Sequence, residues 1–347
     1  MPVEEKRRSP GHRWLSWLGA AIGIALVGVL VWRLDWRQFA EVLRAARPEF
    51  VLATFLAIVA EQLVRAWKWR QILTPLCGAG TLHLFGATMA GYLASLLVPL
   101  GVSPFVRSWL VARRHQVAMS SVLATVAVDR SVDGLVFAGL VVLVVLSAAV
   151  PDPDGALTLG LVIGAGASAA AIVTALLLLV LHRRHAASGA GLVLAIAERL
   201  PARFAVRVRS VATGFAGGVV WPGEPWRGVG IVAAAVVIKL LAASHLLWAG
   251  LAFGVLQPPF AYLALVAILG FIVVLAHVAR IPGGFAVGSV FALDLFGVEE
   301  ETAAAMVAVV VAATLIAVGV FGSWGLWAHG VGLRDLRRRG GTADVAP

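Results

Sequence analysis

Ionisable residues interrupt the long apolar runs of this 347-residue chain in four places. Glu61, Gln62 and Arg65 form the first group, with the acid and the arginine one helical turn apart and able to pair on one face. Asp129, Arg130 and Asp133 form the second, and Lys239 with His245 the third. Arg280 stands alone before Pro282, Gly283 and Gly284. Each such charge costs at least a few kcal/mol inside hydrocarbon unless it is paired or used. Two chemistries fit them. The aspartates could grip Arg65 or Arg130 as structural ion pairs that fix helix register. Alternatively, Arg65, Arg107, Arg130, Lys239 and Arg280 could line a polar cavity and neutralise a phosphate, helped by free backbone N–H groups at broken helices.

The composition sets the surroundings. The chain is 61% hydrophobic and 13% charged, and its mean hydropathy is +0.94. Soluble domains carry about 25% charged residues, so a soluble enzyme, a disordered chain and a nucleic-acid-binding protein are excluded. The apolar runs are continuous rather than alternating, which indicates membrane helices and not a barrel. One cysteine, Cys77, leaves no disulfide framework and no cysteine metal cluster. The net charge of +10 lies between the apolar runs and points to an anionic membrane face.

Runs long enough to enter a bilayer cover 14–32, 50–64, 81–98, 118–150, 156–181, 228–256, 260–278 and 302–327. The first follows Lys6, Arg7, Arg8 and Arg13, and reads as an uncleaved helix. Lysine and arginine gather in 1–13, 65–70, 107–114, the loop 182–227 and the tail 328–347, which the positive-inside rule places in the cytoplasm. Arg33, Arg37, Arg44 and Arg47 break the rule, and with Asp35, Glu41 and Glu49 suggest a short interfacial helix. Arg199, Arg203 and Arg207 read as a surface helix on anionic headgroups.

With these sides assigned, 81–112 and 260–296 must each enter and leave by one face. Pro99, Gly101 and Pro104 break the first, and Pro282, Gly283 and Gly284 the second. The expected fold is therefore an all-α polytopic membrane protein with six crossings and two re-entrant helical hairpins. Residues 14–150 and 156–327 form two inverted repeats, with Val117 and Val298 opening the long helix after each hairpin. Broken helices in inverted repeats suit alternating access. Enzyme motifs are missing: there is no His-Glu-x-x-His, no Walker lysine and no nucleophile elbow. No cofactor, no metal and no catalytic residue are expected.

Several stretches resemble the flippase-like membrane domain of lysylphosphatidylglycerol synthases: Val98-Pro99-Leu100-Gly101, then Val106 to Leu110, Leu123 to Gly134, and Ile281 to Gly284. Arg65 to Arg70 is similar to the arginine-tryptophan stretch of that family's second helix. The resemblance covers about 14–327, and Arg107, Asp129, Arg130, Asp133, Pro282, Gly283 and Gly284 take its motif positions. It implies lipid movement between leaflets. Aminoacyl transfer belongs to a separate soluble domain and is not expected here. Ser103-Pro104 and Ala286 with Gly288-Ser289 replace acidic positions of the family's hairpins, which favours an anionic or sterol-like lipid. The expected partners are membrane lipids. The alternative is a non-catalytic membrane scaffold for a lipid-modifying or glycosyl-transferring enzyme, in a bacterial inner membrane with both termini cytoplasmic.

Overall fold

The computed structural model describes residues 25, 28–29, 32–97, 101–152, 154–186, 210–211, 213–279 and 283–330, the side chains of 176, 178–186 and 275–279 excepted. The first apolar run (apart from a few positions), the helix expected around Arg199 to Arg207, the tail after 330, and Pro99, Arg280 and Pro282 lie outside the described residues.

A short helix, α1 (Trp36–Arg44), is the first of the helices numbered here. Asp35 caps it, its carboxylate accepting the Arg37 and Gln38 amides at 2.9 and 3.1 Å. None of its residues is buried, as the interfacial reading requires. Arg33 reaches Glu300 at 3.4 Å, which relieves part of its charge. Next comes α2 (Pro48–Leu73), with a proline in its first turn and Pro75 just beyond its end.

A broken pair follows: α3 (Thr81–Leu97) and α4 (Ser103–His115). Gly101 between them has φ +63°, a left-handed conformation that a side chain would strain. Pro104 lies in the first turn of α4 rather than in the break, so it starts a helix where its missing N–H is harmless. Then come α5 (Met119–Leu146) and α6 (Ala156–Ala186). The second half repeats the order with α7 (Pro225–Ala252), the broken pair α8 (Pro259–Ala279) and α9 (Gly284–Asp294), and α10 (Glu300–Ala328). Gly283 caps α9 at φ 73°.

Both broken pairs close the same way. Gln116 and Gly297 are left-handed, and the next residues, Val117 and Val298, donate their amides to Ala112 and Leu293, each at 3.2 Å. This is the six-to-one bond of a Schellman turn, and it falls on the two valines that sequence spacing singled out. Packing partners also match between halves. α2 lies on α3 and α7 on α8; α4 lies on α5 and α9 on α10. Across the halves α10 lies on α3 and α5 on α8, while α2 and α7 pack on each other.

Among the described residues, four helices are long and apolar enough to cross a membrane: Pro48–Leu73, Ala156–Ala175, Pro225–Ala252 and Glu300–Ala328. α5 has the length, with 28 residues, but carries three charges at its centre. Val142, Leu143, Ile163, Ile316 and Val320 on the long helices are exposed while Lys68 and Asp129 are fully buried. Apolar outside and charged inside is the pattern of a helical integral membrane protein.

α3 and α10 approach through glycine. A Cβ on Gly325 would stand 2.1 Å from the Gly86 carbonyl oxygen, and one on Gly322 would stand 2.8 Å from that of Met89. Small residues of this kind let membrane helices pack backbone to backbone.

Candidate functional site

The buried charges converge where α2, α4, α5 and α7 meet. Asp133 is the fifteenth of the 28 residues of α5, Lys239 the fifteenth of the 28 of α7, and Glu61 the fourteenth of the 26 of α2. At 1.5 Å per residue, all three lie halfway along their helices.

α2 presents Glu61, Arg65 and Lys68 at i, i+4 and i+7, which puts them on one face. Arg65 pairs with Glu61 and reaches Asp133 at 3.3 Å. Lys68 pairs with both aspartates of α5, with Asp129 at 2.9 Å. Arg107 of α4 stands 3.8 Å from the other oxygen of Asp129. His245 of α7 approaches Glu61 at 3.4 Å. Trp69 anchors the group from beneath: its indole N–H donates to Thr125 at 3.0 Å, and the Arg107 guanidinium lies 4.9 Å above its ring.

Sequence-predicted residues thus divide. Arg65, Arg107, Asp129 and Asp133 come together, Arg65 part-buried and the other three buried. Of the two aspartates only Asp133 grips Arg65; Lys68 bridges both, and neither pairs with Arg130 among the described residues. Arg130, one residue along from Asp129, points away, is exposed, and makes no ion pair among the described residues. Its charge is nonetheless felt by Arg107 and by Tyr92 of α3. Lys239 also has no ion pair among the described residues; its ammonium lies 5.4 Å from the Phe137 ring and within the field of Asp133, Glu61, Arg65 and Lys68. Gly101, Pro104, Gly283 and Gly284 sit at the breaks or first turns. Arg280, Pro99 and Pro282 lie outside the described residues.

Sequence reasoning missed Lys68. It counted 65–70 as cytoplasmic surface, because the apolar run ends at Val64. The helix instead continues to Leu73 and turns Lys68, 0% exposed, inward. The available signal was the i, i+3, i+4, i+7 stripe of Glu61, Arg65, Lys68 and Trp69 running on from the apolar stretch. Tyr92 was missed too; Gln62 is flanked by the cluster, and its side-chain oxygen is buried without a hydrogen bond.

The arithmetic of charge is uneven. Arg65, Lys68, Arg107, Arg130 and Lys239 supply five cations, and Glu61, Asp129 and Asp133 supply three carboxylates, leaving an excess of two. No group of three metal-ligating side chains converges among the described residues. A second polar cluster lies at the far end of α3 and α10. There the His83 ring stands 4.0 Å from His329 and 6.1 Å from His115.

A family model described as the lysylphosphatidylglycerol synthase TM region matches residues 16–322. No curated protein and no solved structure matches the chain.

Proposed function

The chain belongs to the lysylphosphatidylglycerol synthase transmembrane family, and from that premise we propose that it moves an anionic or isoprenoid-type lipid between the leaflets of a bacterial inner membrane. The observation that carries the reading is the surplus of cations where the helices meet: Arg65, Lys68, Arg107 and Lys239 are buried or part-buried against three carboxylates, with exposed Arg130 a further cation beside them. A buried surplus is costly when empty and is offset by an anionic headgroup. Neutralised in this way, the headgroup crosses hydrocarbon at a lower barrier.

The repeat supports the same mechanism. Matching helix pairs and the paired Schellman turns at Val117 and Val298 fit two halves of common origin. In the proposal those halves are inverted, α3–α4 and α8–α9 are re-entrant, and rocking of one half against the other alternates access. The glycine contact between α3 and α10 is then a close sliding surface rather than a fixed bolt.

Reconstitution tests the reading. Vesicles containing the protein should exchange fluorescent phosphatidylglycerol between leaflets faster than protein-free vesicles, and Arg130→Ala should slow it. Exchange no faster than in the protein-free vesicles would remove the translocase reading and leave the scaffold for a lipid-modifying enzyme in its place.

A further inference from the structure

The charge cluster has two unlike parts. Glu61, Arg65, Lys68, Asp129 and Asp133 are mutually ion-paired on two helices and form a closed lattice. Arg107 is different. Only 1% of it is exposed, yet its Nε and both Nη atoms have no hydrogen-bond partner among the described residues. Among the described residues its carboxylate neighbour is Asp129, whose Oδ2 stands 3.8 Å away, beyond hydrogen-bond reach, while Lys68 engages the other oxygen. A guanidinium carries five N–H donors, and leaving them unmet in a dry interior is among the costlier arrangements a fold can keep.

The surroundings of Arg107 suit one kind of guest. Ser103 lies one turn before it on α4, and both press on Gly91 of α3, where a Cβ would meet the Ser103 hydroxyl at 2.9 Å and the Arg107 Cβ at 3.5 Å. The Ser103 and Thr88 hydroxyls are buried without acceptors. Thr88, Gly91, Tyr92 and Ser95 form one stripe of α3, and Ser95 accepts the Ser103 amide at 2.9 Å. The charges of Arg107 and Arg130 both fall on Tyr92. Donors predominate on this seam, where the Arg107 guanidinium and the Ser103 and Thr88 hydroxyls outnumber the one Asp129 oxygen that faces them, a balance that suits a tetrahedral oxyanion.

Resting on the translocase reading, we propose that the seam between α3 and α4 is a phosphate-ester site in which exposed Arg130 makes first contact and buried Arg107, held over the Trp69 ring, takes the phosphate when the hairpin opens. The lattice of Lys68 and the aspartates is its frame and not its ligand set.

Melting of the purified protein in neutral detergent tests this with three additives: phosphatidylglycerol, phosphatidylcholine and inorganic phosphate. The wild type should be stabilised by phosphatidylglycerol and not by phosphatidylcholine. A response to the lipid alone identifies a headgroup site, and an equal response to inorganic phosphate identifies a free-phosphate site. In either case Arg130→Gln should weaken apparent affinity about tenfold, the loss of one charge-assisted contact. Arg107→Lys keeps the charge but loses the planar fork and should weaken it as much. Arg130 is exposed and makes no ion pair among the described residues, so its variant should melt like the wild type without additive; if Arg107→Lys does not fold, Arg130→Gln decides alone. No response in the wild type, or an undiminished one in Arg130→Gln, overturns the site. Leaflet exchange on the same preparations separates the two ideas. Wild-type exchange at the wild-type rate in Arg130→Gln ends the site and spares the translocase, whereas no exchange in the wild type ends the translocase.

Discussion

Lys68 on α2 and Asp129 on α5 are 61 residues apart in the chain and 2.9 Å apart in the fold, both with side chains fully buried. Because the same ammonium also pairs with Asp133, removing it strands two carboxylates. Lys68→Met should therefore destabilise by about 3–5 kcal/mol, the range for breaking a buried pair from one side. Arg130→Gln should change stability by less than about 0.5 kcal/mol. Melting in detergent checks both. The double variant Lys68→Met with Asp129→Asn should recover part of the loss, since the two residues share one interaction.

The frame of this site was partly legible and partly not. Glu61 with Arg65, and Asp129 with Asp133, stood out because an acid inside an apolar run is conspicuous by type and spacing alone. Lys68 did not, because hydropathy marks where a run stops being apolar and not where its helix stops. A helix that carries charge on one face and keeps apolar neighbours on the others reads as a loop edge until its packing is seen. Arg130 shows the converse: sequence put it among the buried charges beside Asp129, but adjacent residues on a helix point about 100° apart, and it faces outward. The breaks at Gly101 and Gly283 were visible from composition; the Schellman turns at Gln116 and Gly297 were not, although the valines that complete them were.

The α3–α10 contact gives a sharp steric prediction. Gly325→Ala places a methyl 2.1 Å from the Gly86 carbonyl oxygen, and backbone cannot yield as a side chain does. Overpacking of this sort costs about 1–3 kcal/mol. Gly319→Ala on the same helix meets nothing within 4 Å and should be neutral or gain up to about 1 kcal/mol from helix propensity. Parallel melting curves of the two variants provide the comparison.

The histidines at the end of α10 predict a pH effect. Burial, with the charges of Arg114 and His115, holds the His329 imidazole below its ordinary range. His83, His115 and Arg114 face it, and no carboxylate is among the groups acting on it. The unfolded chain takes up its proton near pH 6.5 and the folded chain only at lower pH, so stability falls as pH drops below about 6.5. The melting midpoint should decrease between pH 7.5 and 5.5, and His329→Gln should lessen that decrease.

Orientation can be read from cysteine labelling. Cys77, half-buried between α2 and α3, should face the cytoplasm with Arg70, Arg113 and Arg114, while Asp152 and Glu300 lie at the opposite helix ends. In a Cys77→Ser background, an impermeant maleimide applied to intact cells should label Asp152→Cys. It should label native Cys77 only after the membrane is opened. The reverse pattern would turn the molecule over and place the basic ends outside.

The most direct test of the account is the dependence of exchange on headgroup charge. Proteoliposomes with traces of fluorescent phosphatidylglycerol, phosphatidylcholine or a cationic lipid of matched chains give three rates from one preparation. The surplus of cations at the centre of α2, α5 and α7 predicts phosphatidylglycerol fastest and the cationic lipid slowest, with Arg107→Lys and Arg130→Gln flattening the order. Equal rates for all three, or the cationic lipid moving fastest, would contradict it.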